Sequence, residues 1–313
     1  MNIPSAPLAL FAFNRPKHLA HTISALKSNS LAEETPVFVF CDGARHPGEA
    51  EQVRQVREIA KSITGFLSVT VIEREHNLGL ANSIIEGVSH LCAEYGRVIV
   101  LEDDLLTSPD FLQFMNQGLA LYADDDRVAS IHGYSYPIDN KGAPQSYFLR
   151  GADCWGWSTW ARAWKHFEED GKKLLSELEQ RNLGYRFDYD GNSSFIEMLR
   201  NQINGKNNSW AIRWHASAYL LDMLTLYPRQ SLVVNFGFDD SGTHCSAVDH
   251  YATQLGSMSG PLTRVAIEES PIMRARIVEF FRDMRKKRWT TSFGRAKSFV
   301  MRRLSKLFST LGG

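Results

Sequence analysis

The chain has 313 residues, 43% of them hydrophobic and 22% charged, with 35 basic and 35 acidic residues. This is an ordinary composition for a folded protein with one large core or two modest ones. The zero net charge is unevenly spread: from Arg274 to Lys306 there are 12 Lys/Arg against Glu279 and Asp283, leaving the remainder with a surplus of ten acids. An acidic body with a basic tail argues against a general nucleic-acid binder. Cys41, Cys92, Cys154 and Cys245 form no CxxC pair, which removes zinc-ribbon and thioredoxin-like readings. Cys41 and Cys92 fall in apolar segments and read as small buried hydrophobes. The N-terminus shows no basic region followed by an apolar stretch, so a cytoplasmic location is expected.

In chain order, Leu8–Phe13 predicts a strand, and Asn14-Arg15-Pro16 opens a helix with Leu19, Ile23 and Leu26 on one face. Pro36–Cys41 is a second strand ending in Asp42-Gly43, followed by a helix striped with Val53, Val56, Ile59 and Ile63. Leu67–Ile72 is a third strand, and the loop Glu75–Gly79 leads into a helix carrying Ile84, Val88 and Leu91. Val98–Leu101 is a buried strand that ends in Glu102, Asp103 and Asp104, with Ser108 as cap and Pro109 as first residue of the next helix. Val128–His132 is one more strand. Strands separated by helices of this length predict an α/β fold with a mostly parallel, Rossmann-like sheet and helices on both faces.

After about residue 135 the rhythm breaks. Tyr136–Ser146 reads as loop, and Trp155, Trp157, Trp160 and Trp164 crowd into ten residues. Lys172–Asn208 is polar and helical in pattern, Trp210–Leu221 a helix, Leu224–Tyr227 a strand, and Val233–Cys245 ends in a polar loop. The expected division is a body of residues 1–250 in two halves, 1–134 with the alternating strands and helices and 135–250 with the irregular remainder. A basic helical tail of 251–313 follows.

Ligands of open α/β sheets bind beyond the carboxyl ends of the strands, where the acidic triplet falls. Three adjacent carboxylates there are either a solvated acidic turn or a cation site for a phosphate-bearing substrate. Arg15 is placed to reach a phosphate or a base, and Asp42 to accept from a pyrimidine N–H, although a turn Asp before glycine is also ordinary. Asn77 and Gly79 precede a helix whose exposed N–H groups attract anions. His244 sits in a Gly/Ser/Thr loop and is a candidate metal ligand, with Asp104 as its partner for Mn²⁺ or Mg²⁺.

Taken together, Phe13-Asn-Arg-Pro16, Val39–Gly43, Val100–Phe111 and Asn235–His244 resemble the GT-A glycosyltransferases, most closely the N-acetylglucosaminyltransferase I family and its bacterial relatives. The resemblance implies transfer of a sugar from a nucleoside-diphosphate donor, UDP-linked by expectation, to a carbohydrate or lipid-linked acceptor. It implies Asp104 on the metal, Glu102 and Asp103 toward ribose and donor sugar, Arg15 and Asp42 at the uridine end, and His244 near the diphosphate. The family's catalytic carboxylate follows a tryptophan about eighteen residues before a proline. Here Trp210 precedes Ala211 and Ile212, so that carboxylate is missing. Asp153 and Asp239 are the substitutes, with Trp155 and Trp157 as a sugar-stacking wall beside Asp153. The rivals are a nucleotide-sugar-binding module without turnover and a nucleotidyltransferase. The second would carry a glycine-rich loop after the first strand, which Phe13–Pro16 lacks. In the tail, Ile277, Phe280, Phe281 and Met284, then Phe299, Val300, Leu304 and Leu307, among dense Arg and Lys fit either amphipathic helices on an anionic membrane surface or a solvated basic helix or disordered tail.

Overall fold

The computed structural model describes residues 4–238 and 250–287. The first half alternates strictly: β1 (Leu8–Ala12), α1 (Pro16–Lys27), β2 (Pro36–Cys41), α2 (Ala50–Lys61), β3 (Ser68–Glu73), α3 (Gly79–Tyr95) and β4 (Arg97–Glu102). Short β5 (Leu105–Thr107), α4 (Phe111–Leu121) and β6 (Val128–His132) come next. The second half contributes β7 (Ser146–Arg150), β8 (Trp157–Trp160), α5 (Ala161–Trp164), α6 (Gly171–Gln180), α7 (Gly184–Phe187) and α8 (Phe195–Ile203). It continues with α9 (Trp210–Leu220), β9 (Leu224–Pro228) and β10 (Val233–Asn235), and a last helix, α10, covers 271–287.

Eight strands form one sheet in the order β3-β2-β1-β4-β8-β6-β9-β7, and β10 pairs with β5 apart from it. The first four strands are parallel neighbours, whereas β8 runs antiparallel to both β4 and β6. This is a mixed, mostly parallel α/β sheet. Its two faces are both buried because alternate residues of each strand point to opposite sides. Leu8, Leu10, Val37, Val39, Ile99 and Leu101 meet α1, α2 and α4 on one side. Ala9, Phe11, Phe38, Phe40, Val98 and Val100 meet α3 and a tryptophan group on the other. Cys41 and Cys92 are buried, and burial pushes both thiols up to about 12.

Several expectations need correction. The helix expected from Pro109 begins at Phe111 with Asp110 before it, and Ser108 caps nothing. Leu105–Thr107 is drawn instead into β5 by antiparallel pairing with Val233–Asn235. The helically spaced tryptophans include a strand, because Trp157–Trp160 inserts between β4 and β6. Most of the large apolar residues of α10 face the protein, Ile272 being the exposed exception. Ile277 and Phe281 are buried with Met273 and Val278 against Tyr134, Tyr136, Tyr147 and Tyr227, and Phe280 and Met284 pack on the same cluster. Ser270 N–H bonds to the Phe148 carbonyl at the edge of the sheet, so the segment before α10 is joined to the body.

Candidate active site

Pro16 disfavours helical geometry in the residue before it, so α1 starts only after Arg15, which stays in the loop above the strand ends with φ −117° and ψ 75°. Its Nη2 bonds to Asp103 Oδ1 and lies 3.0 Å from Asp104 Oδ2. Asp103 is buried, accepts a backbone bond from Phe13 as well, and offers its carbonyl to Thr22 Oγ1 at 2.7 Å. Asp103 therefore anchors the β1–α1 loop through Arg15.

Burial pushes the Asp103 carboxyl up to about 6 against the opposing pull of Arg15. Burial, then the charges of Asp104 and Asp103, push Glu102 well above the usual carboxylate range. One guanidinium does not offset three carboxylates. The donors are hard oxygens and the surplus charge is negative, which suits a hard divalent cation. Of the two aspartates, Asp104 is the less buried, with 15% of its side chain exposed against 4% for Asp103. Among the described residues no group of three or more His, Cys, Asp or Glu is placed to hold a metal ion.

The late loop starts on this triplet. Phe236 N–H donates to the Asp104 carbonyl at 3.0 Å, and a side chain at Gly237 would collide with the Asp104 carboxylate. The Phe236 ring stacks on His18 of α1 at 4.9 Å, a contact that no motif announces. Asp239 and His244 lie outside the described residues.

Asp42 is committed elsewhere. Its Oδ1 accepts from Leu78 N–H and its Oδ2 from Gly79 N–H, each at 2.9 Å. It thus caps α3 from the end of β2, and places its own charge on the N-terminus expected to attract an external anion. Asn77 closes the same clamp by donating to the Gly43 carbonyl at 2.8 Å. Gly43 is needed there, because a Cβ would stand 2.5 Å from the His76 carbonyl carbon.

Strand register sets the segment that carries Asp153 alongside β4. Val100 of β4 pairs with Trp157 of β8, so the residues just before β8 run on beside the end of β4. The thiol of Cys154 is raised by burial first and then by the charges of Asp153, Glu102 and Asp104. Asp153 Oδ2 accepts from Tyr136 Oη at 2.9 Å and from Tyr227 Oη at 3.4 Å, while Oδ1 takes the Cys154 N–H at 3.0 Å. Among the described residues Asp153 forms no ion pair. The segment around it is pinned on both sides, by His215 at Ala152 and by the bond from Trp155 N–H to His132 Nε2 at 3.0 Å. Neither tyrosine was foreseen, although Tyr134-Ser-Tyr136 directly after a predicted strand was a usable signal.

The two tryptophans expected as a sugar wall separate. Trp155 is half-buried beside Asp153, edge-on to Tyr134, Tyr251 and Phe238 at 4.8 to 5.9 Å. Trp157 is 0% exposed and stacks on Trp210 at 5.4 Å among Trp164 and Trp214. A side chain with no exposed face cannot stack on a sugar, so Trp157 is core.

No curated protein matches the chain. Among solved structures it is similar to the mannosyltransferase PcManGT from Pyrobaculum calidifontis in complex with GDP-Man and Mn²⁺, at 15% identity and TM-score 0.31, over 44% of this chain and 37% of that one. It is also similar to S. aureus TarS 1-349, at 12% identity and TM-score 0.34, over 57% of this chain and 49% of that one. TarS 1-349 in complex with UDP-GlcNAc matches at 16% identity and TM-score 0.32, over 47% and 39%. The chain thus spans less than half the length of each of these structures. A family model matches residues 9–187, and its description is glycosyl transferase family 2, not specifically the N-acetylglucosaminyltransferase I family that the motifs resemble. The matched span runs from β1 to the end of α7 and contains both the acidic strand end and Asp153: the chain belongs to glycosyl transferase family 2.

Proposed function

We propose that this protein transfers a sugar from a nucleoside-diphosphate sugar, UDP-linked by preference, to a carbohydrate or lipid-linked acceptor, with Asp153 as the catalytic base. The observation that carries this reading is a half-buried carboxylate with no counter-cation among the described residues, held by two phenol hydroxyls on the segment that leads into β8 beside β4. A carboxylate not engaged by a cation keeps a lone pair available to an acceptor hydroxyl.

Asp103 holds Arg15 over the strand end, where the guanidinium is available to diphosphate oxygens. Glu102 faces the donor sugar, and Asp104, with His244 from the late loop, would hold Mn²⁺ or Mg²⁺. Such a cation supplies positive charge for the departing diphosphate. The acceptor hydroxyl attacks the anomeric carbon and yields its proton to Asp153, with Trp155 flanking the acceptor. Asp153 is preferred to Asp239 because its support is built from buried side chains. The setting proposed is bacterial surface polysaccharide or glycolipid assembly on the cytoplasmic side of the membrane. Residues 288–313, with six Lys/Arg and no acid, would rest on anionic lipid. Among the described residues no helix is long and apolar enough to cross a membrane.

The test is a thermal-shift series with UDP-GlcNAc and GDP-mannose, with and without Mn²⁺, followed by assay of donor hydrolysis. A donor-dependent rise in Tm that needs Mn²⁺ and is lost in Asp104→Ala is expected. Asp153→Asn should keep that rise and lose about 100-fold or more in turnover. Absence of stabilisation by any nucleotide sugar would overturn the reading. Full donor binding by the native protein with no turnover on water or any saccharide would favour the binding-module rival.

A further inference from the structure

We infer that Tyr136 is a positioning residue for Asp153, with Tyr227 as the second support, and that α10 holds Tyr136 in place. The inference rests on the reading of Asp153 as the base. A base must present a fixed lone pair, and a lone aspartate rotates freely about its last torsion. Here that rotation is stopped at both oxygens, since Oδ2 takes the two phenols and Oδ1 takes the Cys154 N–H. Phenols suit this task better than a guanidinium would. An arginine would orient the carboxylate and also neutralise it, whereas a phenol donates one bond and adds no charge.

Tyr136 is the stronger of the two, at 2.9 Å against 3.4 Å. Its ring is 6% exposed and meets Phe280 and Phe281 of α10 edge-on, at 5.8 and 5.7 Å, and Tyr134 at 5.5 Å. The preceding residue is fixed as well: Ser135 N–H donates to Ser231 Oγ, and Ser135 Oγ bonds with Tyr147 Oη. Burial and the charge of Asp153 hold the Tyr136 phenol far above its ordinary value, so it stays protonated and donates. The other titratable groups that feel Asp153 come from every neighbouring element: His132 on β6, Cys154 beside it, Tyr189 after α7, His215 on α9 and Tyr227 on β9. Burial keeps both histidines neutral, since each is lowered from its usual range. The phenols are therefore the main external control on the Asp153 carboxylate.

The experiment compares Tyr136→Phe with Tyr134→Phe in the full chain. Tyr134 belongs to the same aromatic group, but its hydroxyl donates to the Tyr251 carbonyl and not to Asp153. Two readouts are taken: kcat and KM for Mn²⁺-dependent hydrolysis of UDP-GlcNAc and GDP-mannose, and the ¹³C NMR titration of the Asp153 carboxyl, which needs no turnover. Tyr136→Phe is expected to lower kcat about tenfold at unchanged donor KM. It should also change the ¹³C signal of the Asp153 carboxyl, because a hydrogen bond to that group is lost. Tyr134→Phe should change neither. Equal behaviour of the two variants in the NMR titration overturns the inference, whatever the activity. Loss of turnover in Asp153→Asn alongside that equality leaves the base assignment standing, whereas native turnover in Asp153→Asn removes the assignment itself. If Tyr136→Phe does not fold, Tyr227→Phe carries the same comparison, with about threefold expected in kcat.

Discussion

His215 is enclosed by Phe187, Phe195 and Tyr219, and its Nδ1 lies 2.6 Å from the Ala152 carbonyl. A Cβ on Gly151, whose φ is +93°, would stand 2.5 Å from the same ring, so only glycine lets the backbone pass there. Burial lowers the proton affinity of His215 and of His132 below the ordinary 6.5. The unfolded chain therefore binds protons at a higher pH than the folded one, and this contribution to stability is full above about pH 6.5 and lost below it. Tm is expected to fall as pH is lowered from 7 to 5.5. In His215→Asn, where an amide stands in the place of Nδ1 and does not titrate, the slope should be shallower. Parallel slopes in scanning calorimetry would show that His215 is not a source of the acid sensitivity. Asp153 sits one residue beyond Ala152, so the imidazole that protects the fold also steadies the candidate base.

At the scale of elements, the clamp between β2 and α3 has a measurable strength. Asp42 satisfies two free N–H groups at the start of α3 and opposes the helix dipole with its charge. Asp42→Ala should cost about 1–2 kcal/mol in urea unfolding. Asp42→Asn should recover part of it, since the amide still offers one acceptor. A lowered donor affinity with unchanged urea midpoint would instead return Asp42 to the uridine contact first expected of it. The elements that were legible, β1 to β4 with their helices, are those whose apolar residues repeat at strand or helix period over a full element. β5, β7, β8 and β10 were not read as separate strands. They have three to five residues each, too few for a period to declare itself. β5 and β10 exist because they pair with each other, and β8 because β4 and β6 offer it edges. Asp104 meets Gly237 through the β5–β10 pairing, and the segment bearing Asp153 is set beside β4 by β8, which is why their geometry was hidden.

At the scale of the whole molecule, α10 belongs to the body. Met273, Ile277, Val278 and Phe281 are buried, and each such side chain contributes about 1.5–3 kcal/mol. Together they rival the entire stability of a typical domain. A chain ending at residue 270 is therefore expected to be insoluble or molten, with loss of near-ultraviolet circular dichroism. A cooperative transition at the native Tm would contradict that. Removal of 288–313 should leave folding and donor turnover intact and abolish sedimentation with phosphatidylserine vesicles. Undiminished sedimentation would rule out the tail as a membrane anchor.

The amino-acid sequence by itself determined the layered α/β class, the acidic end of β4 and the asymmetry of charge, since each is written in local pattern or composition. Only the tertiary structure decided what those residues touch. It turned Asp42 into a helix cap, Asp103 into an anchor for Arg15, Trp157 into core, and Tyr136 into a support for Asp153. These outcomes depend on contacts between residues 17 to 88 positions apart, and long-range partners of that kind leave no period in the chain.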